Sequence, residues 1–222
     1  MNKQFYIIGK NPQIDEGVTL GYQYPGCKEK LIIGDHAVIH SGSIIYADTV
    51  IGHRFFCGHQ ALIRACVTIG NRVVVFHKCT LEGRIKIGNG VKIMAHVYIP
   101  SSTTIGNMVF IGPNTTFLNA KYPMRKGKVQ GATIKDHVTI GGGVTICPEV
   151  TIHENCFIGA GSLVNKDVPP NTLAYGVPAR LHPLPEDIRN GNLPELLLPQ
   201  TDLWGAQHDD SWKNEEYPRL GE

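Results

Sequence analysis

From Ile33 to Phe117 an apolar residue stands at every sixth position, through Ile39, Ile45, Ile51, Cys57, Ile63, Ile69, Val75, Leu81, Ile87, Ile93, Ile99, Ile105 and Ile111. The beat resumes in a new phase at Ile134 and runs through Ile140, Ile146, Ile152 and Ile158 to Val164. A period of six belongs neither to an amphipathic helix nor to a strand with one wet face, so the pattern predicts a repeat array of short stacked strands. Four positions after the apolar residue comes a small or β-branched one, as at Ala37, Ser43, Thr49, Ala61, Val67, Val73, Cys79, Val91, Val97 and Thr103. That spacing predicts two inward side chains per strand.

A longer period lies over the first. Gly34, Gly52, Gly70, Gly88 and Gly106 fall eighteen residues apart and are followed by Asp35, His53, Asn71, Asn89 and Asn107. Gly-Asn and Gly-Asp pairs favour turns. One such corner per three hexads predicts a triangular solenoid, all-β, whose coils stack at about 4.8 Å, so that residues eighteen apart are neighbours.

The array has ends and interruptions. Ile8, Ile14 and Leu20 keep the spacing and predict a first coil, after which Tyr22 to Lys30 leaves the phase. Residues 118–133 carry several basic side chains and no beat, which predicts a protruding loop; long loops on rigid scaffolds commonly carry function. The prolines at 169 and 170 cannot donate to a parallel ladder and end the array. The expected division is a solenoid domain over 1–180 and a C-terminal cap or tail over 181–222, with a short helix near Pro185 to Asn190 and tryptophans at 204 and 212.

A net charge of +2 with 18% charged residues gives no reason to expect nucleic acid or a membrane surface as partner. No stretch is apolar for long enough to span a bilayer, and MNKQFYIIGK lacks the features of a signal peptide, so the expected location is cytoplasmic. The six cysteines, at 27, 57, 66, 79, 147 and 156, form no metal-like cluster and are expected to be reduced and mostly structural.

With the hexads, the block GAGSLVNKDVPPNTLAYGVPAR at 159–180 resembles the hexapeptide-repeat acyltransferases. The resemblance covers about residues 8 to 180 and implies a left-handed parallel β-helix, an acyl-coenzyme A donor and a homotrimer with active sites between subunits. Left-handedness comes wholly from the family, because parallel crossovers are otherwise right-handed in about 98% of cases. The stretch IGNGVKIMAHVYIPSSTTIGNMVFIGPNTTFLNAKYPMR followed by GATIKDHVTIGGGVTI is most similar to nucleotide-sugar N-acetyltransferases, through Gly112, Pro113, Phe117, Asn119, Pro123 and Gly131 to Ile134. Galactoside and xenobiotic acetyltransferases carry a catalytic histidine before the loop proline. Tyr122 holds that position in this chain, which counts against an O-acetyltransferase of that type.

Acyl transfer to an amine needs a deprotonated acceptor, a donor to the thioester oxygen and a grip on coenzyme A. His96 is the first candidate for the base, since imidazole titrates near neutrality, and Asn114 lies one coil above it. The resembled enzymes carry asparagines at the positions of Ala95 and His96, so the location of the site carries over and the histidine's role does not. His77 follows His59 by eighteen residues and is a candidate wall of the acceptor site. Asn119 matches a family asparagine near the acceptor, and Tyr122 and Arg125 are candidates for a nucleotide diphosphate, arginine by bidentate pairing. Gly142 with Ala160, and Gly143 with Gly161, form two columns of minimal side chains against which a pantetheine arm fits, although turn geometry alone also accounts for glycine. Gly142 and Ala160 match family positions that touch the cofactor, and Lys166 and Arg180 stand where the family sets basic residues on its phosphates.

The leading expectation is therefore an acetyl-coenzyme A-dependent N-acyltransferase acting on a nucleotide-linked amino sugar, with no metal. Three alternatives stay open: an O-acetyltransferase on a sugar or small hydroxyl, a carbonic-anhydrase-like β-helix holding a metal on histidines 59, 77 and 96, and a non-catalytic scaffold.

Overall fold

Each hexad forms one side of a triangle. The computed structural model describes residues 5–127, 129–189 and 191–192, and in it twenty-six short strands wind into three sheets. The first sheet has eight strands, from Tyr6–Ile8 to Thr151–Ile152. The second has ten, from Gln13–Ile14 to Phe157–Ile158 and on to Thr172–Gly176 and Ala179–Pro183; the third has eight, from Thr19–Tyr22 to Leu163–Val164. Pairing is parallel throughout except in the final hairpin. Within the main array the register is eighteen residues, as in Ile33 with Ile51, Val75 with Ile93 and Leu81 with Ile99. The chain is a left-handed parallel β-helix.

The periodicity explains the core. The sixth-position residues from Ile33 to Phe117 and from Ile134 to Val164 are buried, as are the small residues four positions on, including Ala37, Ser43, Val73 and Thr103. A triangular bore leaves room for one larger and one smaller side chain per face, and they stack with their equals above and below. Phe55 and Phe117 are the largest of them.

The third residue of a corner turns the chain through left-handed backbone, as His36, Arg54, Arg72, Gln60, Lys78, His96 and Asn114 do with φ between 54° and 62°. Turn propensity, however, is not what Gly34, Gly52, Gly70, Gly88 and Gly106 supply, for their φ values are not positive. They lie where the first sheet passes into the second, and close approach excludes any side chain. A Cβ on Gly70 would lie 2.4 Å from Asn89 Oδ1 and 2.7 Å from the Gly88 carbonyl oxygen. That space belongs to a polar ladder. The backbone N–H of His53 donates to Asn71 Oδ1 at 2.8 Å, that of Asn71 to Asn89 at 2.8 Å, that of Asn89 to Asn107 at 2.9 Å and that of Asn107 to Asp136 at 2.7 Å. We call this the asparagine corner.

Both interruptions leave from the corner between the third sheet and the first, which we call the loop corner: residues 23–30 follow Thr19–Tyr22, and residues 118–132 follow Thr116–Phe117. The solenoid does not stop at the two prolines. Val168 still bridges Ile152, and the closing hairpin extends the second sheet, so the boundary expected at 180 falls inside the strand Ala179–Pro183. The expected short helix is a 3-10 turn at Glu186–Ile188. Trp204 and Trp212 lie outside the described residues.

Two predictions follow from the packing. Gly70→Ala forces a methyl group onto backbone and onto the ladder acceptor, and should destabilise the fold by about 1–3 kcal/mol, read as a lower thermal midpoint. All six cysteines are free, and burial pushes the Cys57 thiol up to about 12 and the Cys79 thiol up to about 11. Since the thiolate is the reactive form, a maleimide at pH 8 should label exposed Cys66 in the native protein and reach Cys57 and Cys79 only after unfolding, as mapped by mass spectrometry.

Candidate functional site

The corner between the second sheet and the third gathers most of the predicted chemistry. Ile14 at the exposed first coil and the buried residues Ile39, Cys57, Val75, Ile93, Ile111, Ile140 and Ile158 stack in register there, so the residues after them form columns. The second column runs Ser41, His59, His77, Ala95, Pro113, Gly142, Ala160, and the third Gly42, Gln60, Lys78, His96, Asn114, Gly143, Gly161. The chemistry changes with height: carboxylate and imidazoles low, His77, His96 and Asn114 in the middle, glycines above. We call it the histidine corner.

His77, His96 and Asn114 are brought together as the spacing predicts. All three side chains are exposed. The His96 N–H donates to the His77 carbonyl at 3.1 Å, and the rings meet edge to face at 6.1 Å. No side chain among the described residues hydrogen-bonds the His96 ring, so it is free to meet a proton donor from solvent or substrate. The Asn114 N–H donates to the Ala95 carbonyl at 3.0 Å and leaves its amide at the surface.

Above them the two glycine columns differ. A Cβ on Gly142 would press on the Pro113 carbonyl oxygen at 3.2 Å, whereas a Cβ on Gly143 or Gly161 would meet nothing within 4 Å. Left-handed backbone does not demand glycine at those two positions, because Gln60, Lys78, His96 and Asn114 hold the same conformation lower in the same column. With exposed Ala160 alongside, the upper corner is open to solvent and presents backbone with almost no side chain above it.

The remaining candidates are distributed otherwise. Arg180 pairs with Tyr175, whose Cβ sits 2.7 Å from where a Gly159 Cβ would be, and so lies at the top of this surface. Lys166 does not. It follows Leu163–Val164 at the loop corner, and the third sheet stands between it and Gly142 and Ala160. Asn119, Tyr122 and Arg125 are at the loop corner as well, apart from His96 in the same chain. The Asn119 amide donates to Ser101 Oγ at 3.1 Å and to the Ser101 carbonyl at 3.3 Å. Tyr122 is 68% exposed with Lys121 Nζ 5.6 Å from its ring centroid, and the Arg125 guanidinium donates to the Met124 carbonyl at 3.3 Å.

Two features escaped the sequence reading. The loop corner holds a cavity of about 590 Å³ lined by Tyr22, Tyr24, Tyr46, Arg64, Glu82 and Arg84. Arg64 pairs with Glu82 at 2.6 Å, and Tyr22 packs on Tyr46 at 4.7 Å. Only the return of the 23–30 excursion onto its own corner builds it, which no spacing announces. The second feature lies at the foot of the histidine corner. Histidines 59, 77 and 96 do not form a metal set; His59 instead joins Asp15 and His40, and these three donors lie within 4.8 Å of one another. Asp15 and His40 are twenty-five residues apart, so the eighteen-residue rule misses them. The hydrogen bond from His40 holds the Asp15 carboxyl below the usual carboxylate range.

Residues 84–119 and 131–166 match the bacterial transferase hexapeptide family, a model of six repeats. The chain is similar to a galactoside O-acetyltransferase of Escherichia coli K12, 44% identical over 87 residues, which is 36% of this chain and 43% of that protein. A mitochondrial serine acetyltransferase of Arabidopsis thaliana is 42% identical over 84 residues, 36% of this chain and 22% of that one. The chain thus spans about two fifths or less of the length of these curated relatives. Among solved structures, a UDP-N-acetylglucosamine acyltransferase from Bacteroides fragilis superposes with a TM-score of 0.71 over 88% of this chain and 77% of that one; at 20% identity the likeness is one of fold. Unbroken hexads and three parallel sheets make the chain a left-handed parallel β-helix, and over residues 84–119 and 131–166 its repeats are similar to those of the bacterial transferase hexapeptide family.

Proposed function

We propose that this chain is an acetyl-coenzyme A-dependent acyltransferase whose acceptor is an amine on a nucleotide-linked sugar. The observation that carries the reading is the open, side-chain-poor surface at Gly143, Ala160 and Gly161, directly above His77, His96 and Asn114 on one corner. A pantetheine arm laid there meets backbone rather than side chains and delivers its thioester downward to the exposed imidazole. The acceptor nitrogen attacks the thioester carbonyl, the new C–N bond forms as C–S breaks, and the amine's proton passes to His96. The thiol of coenzyme A leaves protonated. Asn114 is placed to hold the acceptor.

Lys166, Asn119, Tyr122 and Arg125 complete this reading only from a second copy. The histidine corner of one protomer set against the loop corner of the next is a head-to-tail contact, and threefold rotation closes it into a homotrimer. Lys166 of the neighbour then meets the cofactor's phosphates, and Asn119, Tyr122 and Arg125 of the neighbour meet the sugar and its diphosphate.

A second reading, transfer to a hydroxyl, is favoured by the sequence relatives, which are named as a galactoside O-acetyltransferase and a serine acetyltransferase. Tyr122 in place of the loop histidine favours the amine, since an alcohol needs a stronger base. A thiol-release assay with acetyl-coenzyme A over nucleotide amino sugars, galactosides and serine separates the two, and we expect turnover with the first group. His96→Ala should lower turnover by roughly 10² to 10⁴. A variant within a few-fold of wild type across pH 6 to 8 would remove the base and leave positioning by Asn114. Ala160→Trp, which covers that surface at an exposed position, should raise the KM for acetyl-coenzyme A at least about tenfold while leaving the thermal midpoint in place. An unchanged KM would put the cofactor elsewhere.

A further inference from the structure

Asp15, His40 and His59 hang from three successive coils at the lowest turns of the histidine corner. We propose that they bind one divalent cation of the zinc class, which clips the first coil onto the second and third. The donor atoms lie within 4.8 Å of one another, close enough for one ion to reach all three with small side-chain rotations. Two imidazoles and a carboxylate are a borderline donor set suited to Zn²⁺ in tetrahedral geometry, with water as fourth ligand.

The surroundings hold the ligands as outer-shell groups of a metal site do. Ser41 Oγ lies 3.0 Å from His59 Nδ1, so that nitrogen has a partner and Nε2 is left for an ion. The Ser41 backbone N–H donates to Asp15 Oδ2 at 3.2 Å, and the same oxygen lies 3.0 Å from His40 Nδ1. The His40 ring stacks on His59 at 4.7 Å and meets the ring of buried Phe56 edge to face at 5.3 Å. The two imidazoles are therefore already aligned, with one of them set against an apolar ring.

Position decides the role. His59, the nearest ligand, is one coil below His77 and two coils below His96, about 10 Å from the proposed base at the spacing of parallel strands, so the ion lies beneath the reacting atoms rather than among them. The end coil of a solenoid is stacked on one side only and is the coil most prone to open. The chain leaving that coil makes the 23–30 excursion before the second coil begins, so a tie across the opposite corner anchors the part least held by its neighbours.

The test uses the full, untagged chain, stripped with EDTA and dialysed. Titration with Co²⁺ should give one site per chain with the visible bands of tetrahedral cobalt, displaced by Zn²⁺. His40→Gln and His59→Gln should each weaken it at least tenfold, and His137→Gln, on the asparagine corner, should leave it unchanged. Zn²⁺ should raise the thermal midpoint of the wild type and slow amide hydrogen exchange over residues 6–20, and do neither in Asp15→Asn. No saturable binding, or binding that survives in the His40→Gln/His59→Gln double variant, overturns the site. Binding that leaves both midpoint and exchange unmoved overturns the clip. Circular dichroism of each variant confirms that a lost signal is not a lost fold.

Discussion

Everything in this molecule depends on each coil being one hydrogen bond away from the next. The N–H groups of one coil donate to the carbonyls of its neighbour at 2.7–3.3 Å along all three faces, so every side chain meets its counterpart one coil on. Stacking at that distance turns a sequence spacing into a spatial neighbour. It also leaves little room at the corners, where the chain must turn through backbone that L-residues adopt at a cost of roughly 1–2 kcal/mol each.

The three corners answer that constraint differently. At the asparagine corner glycine withdraws its side chain and the next coil's Asn or Asp fills the space as an acceptor, so the close approach stabilises the stack. At the loop corner the chain escapes twice into excursions. The histidine corner carries no such ladder, and its residues face outward. Chemistry gathers where the fold makes no use of the side chain.

A single protomer divides the proposed machinery between two corners. The side-chain-poor surface, His96 and Asn114 stand at one; Lys166, Asn119 and the 118–132 loop stand at the other, with the width of the third sheet between. A rigid triangular rod cannot fold these together. Neighbouring rods can, which ties the proposed activity to assembly in a way no single chain displays.

The period of six by itself determined the strands and the buried set, and the period of eighteen determined which residues stack, because both record a local pattern repeated against an identical neighbour. His77 beside His96 under Asn114 was legible for that reason. What lay beyond it depended on path and space. Residues 23–30 reset the phase, so Asp15 meets His40 across twenty-five positions, and only the course of the excursion sets that number. Lys166 and Arg180 flank one motif in sequence but occupy different corners, because a corner separates them. Gly70 and Gly143 are the same residue in similar Gly-rich repeats. Whether the missing side chain leaves a filled contact or an open surface was decided by the tertiary structure, since it depends on what the adjacent coil places there.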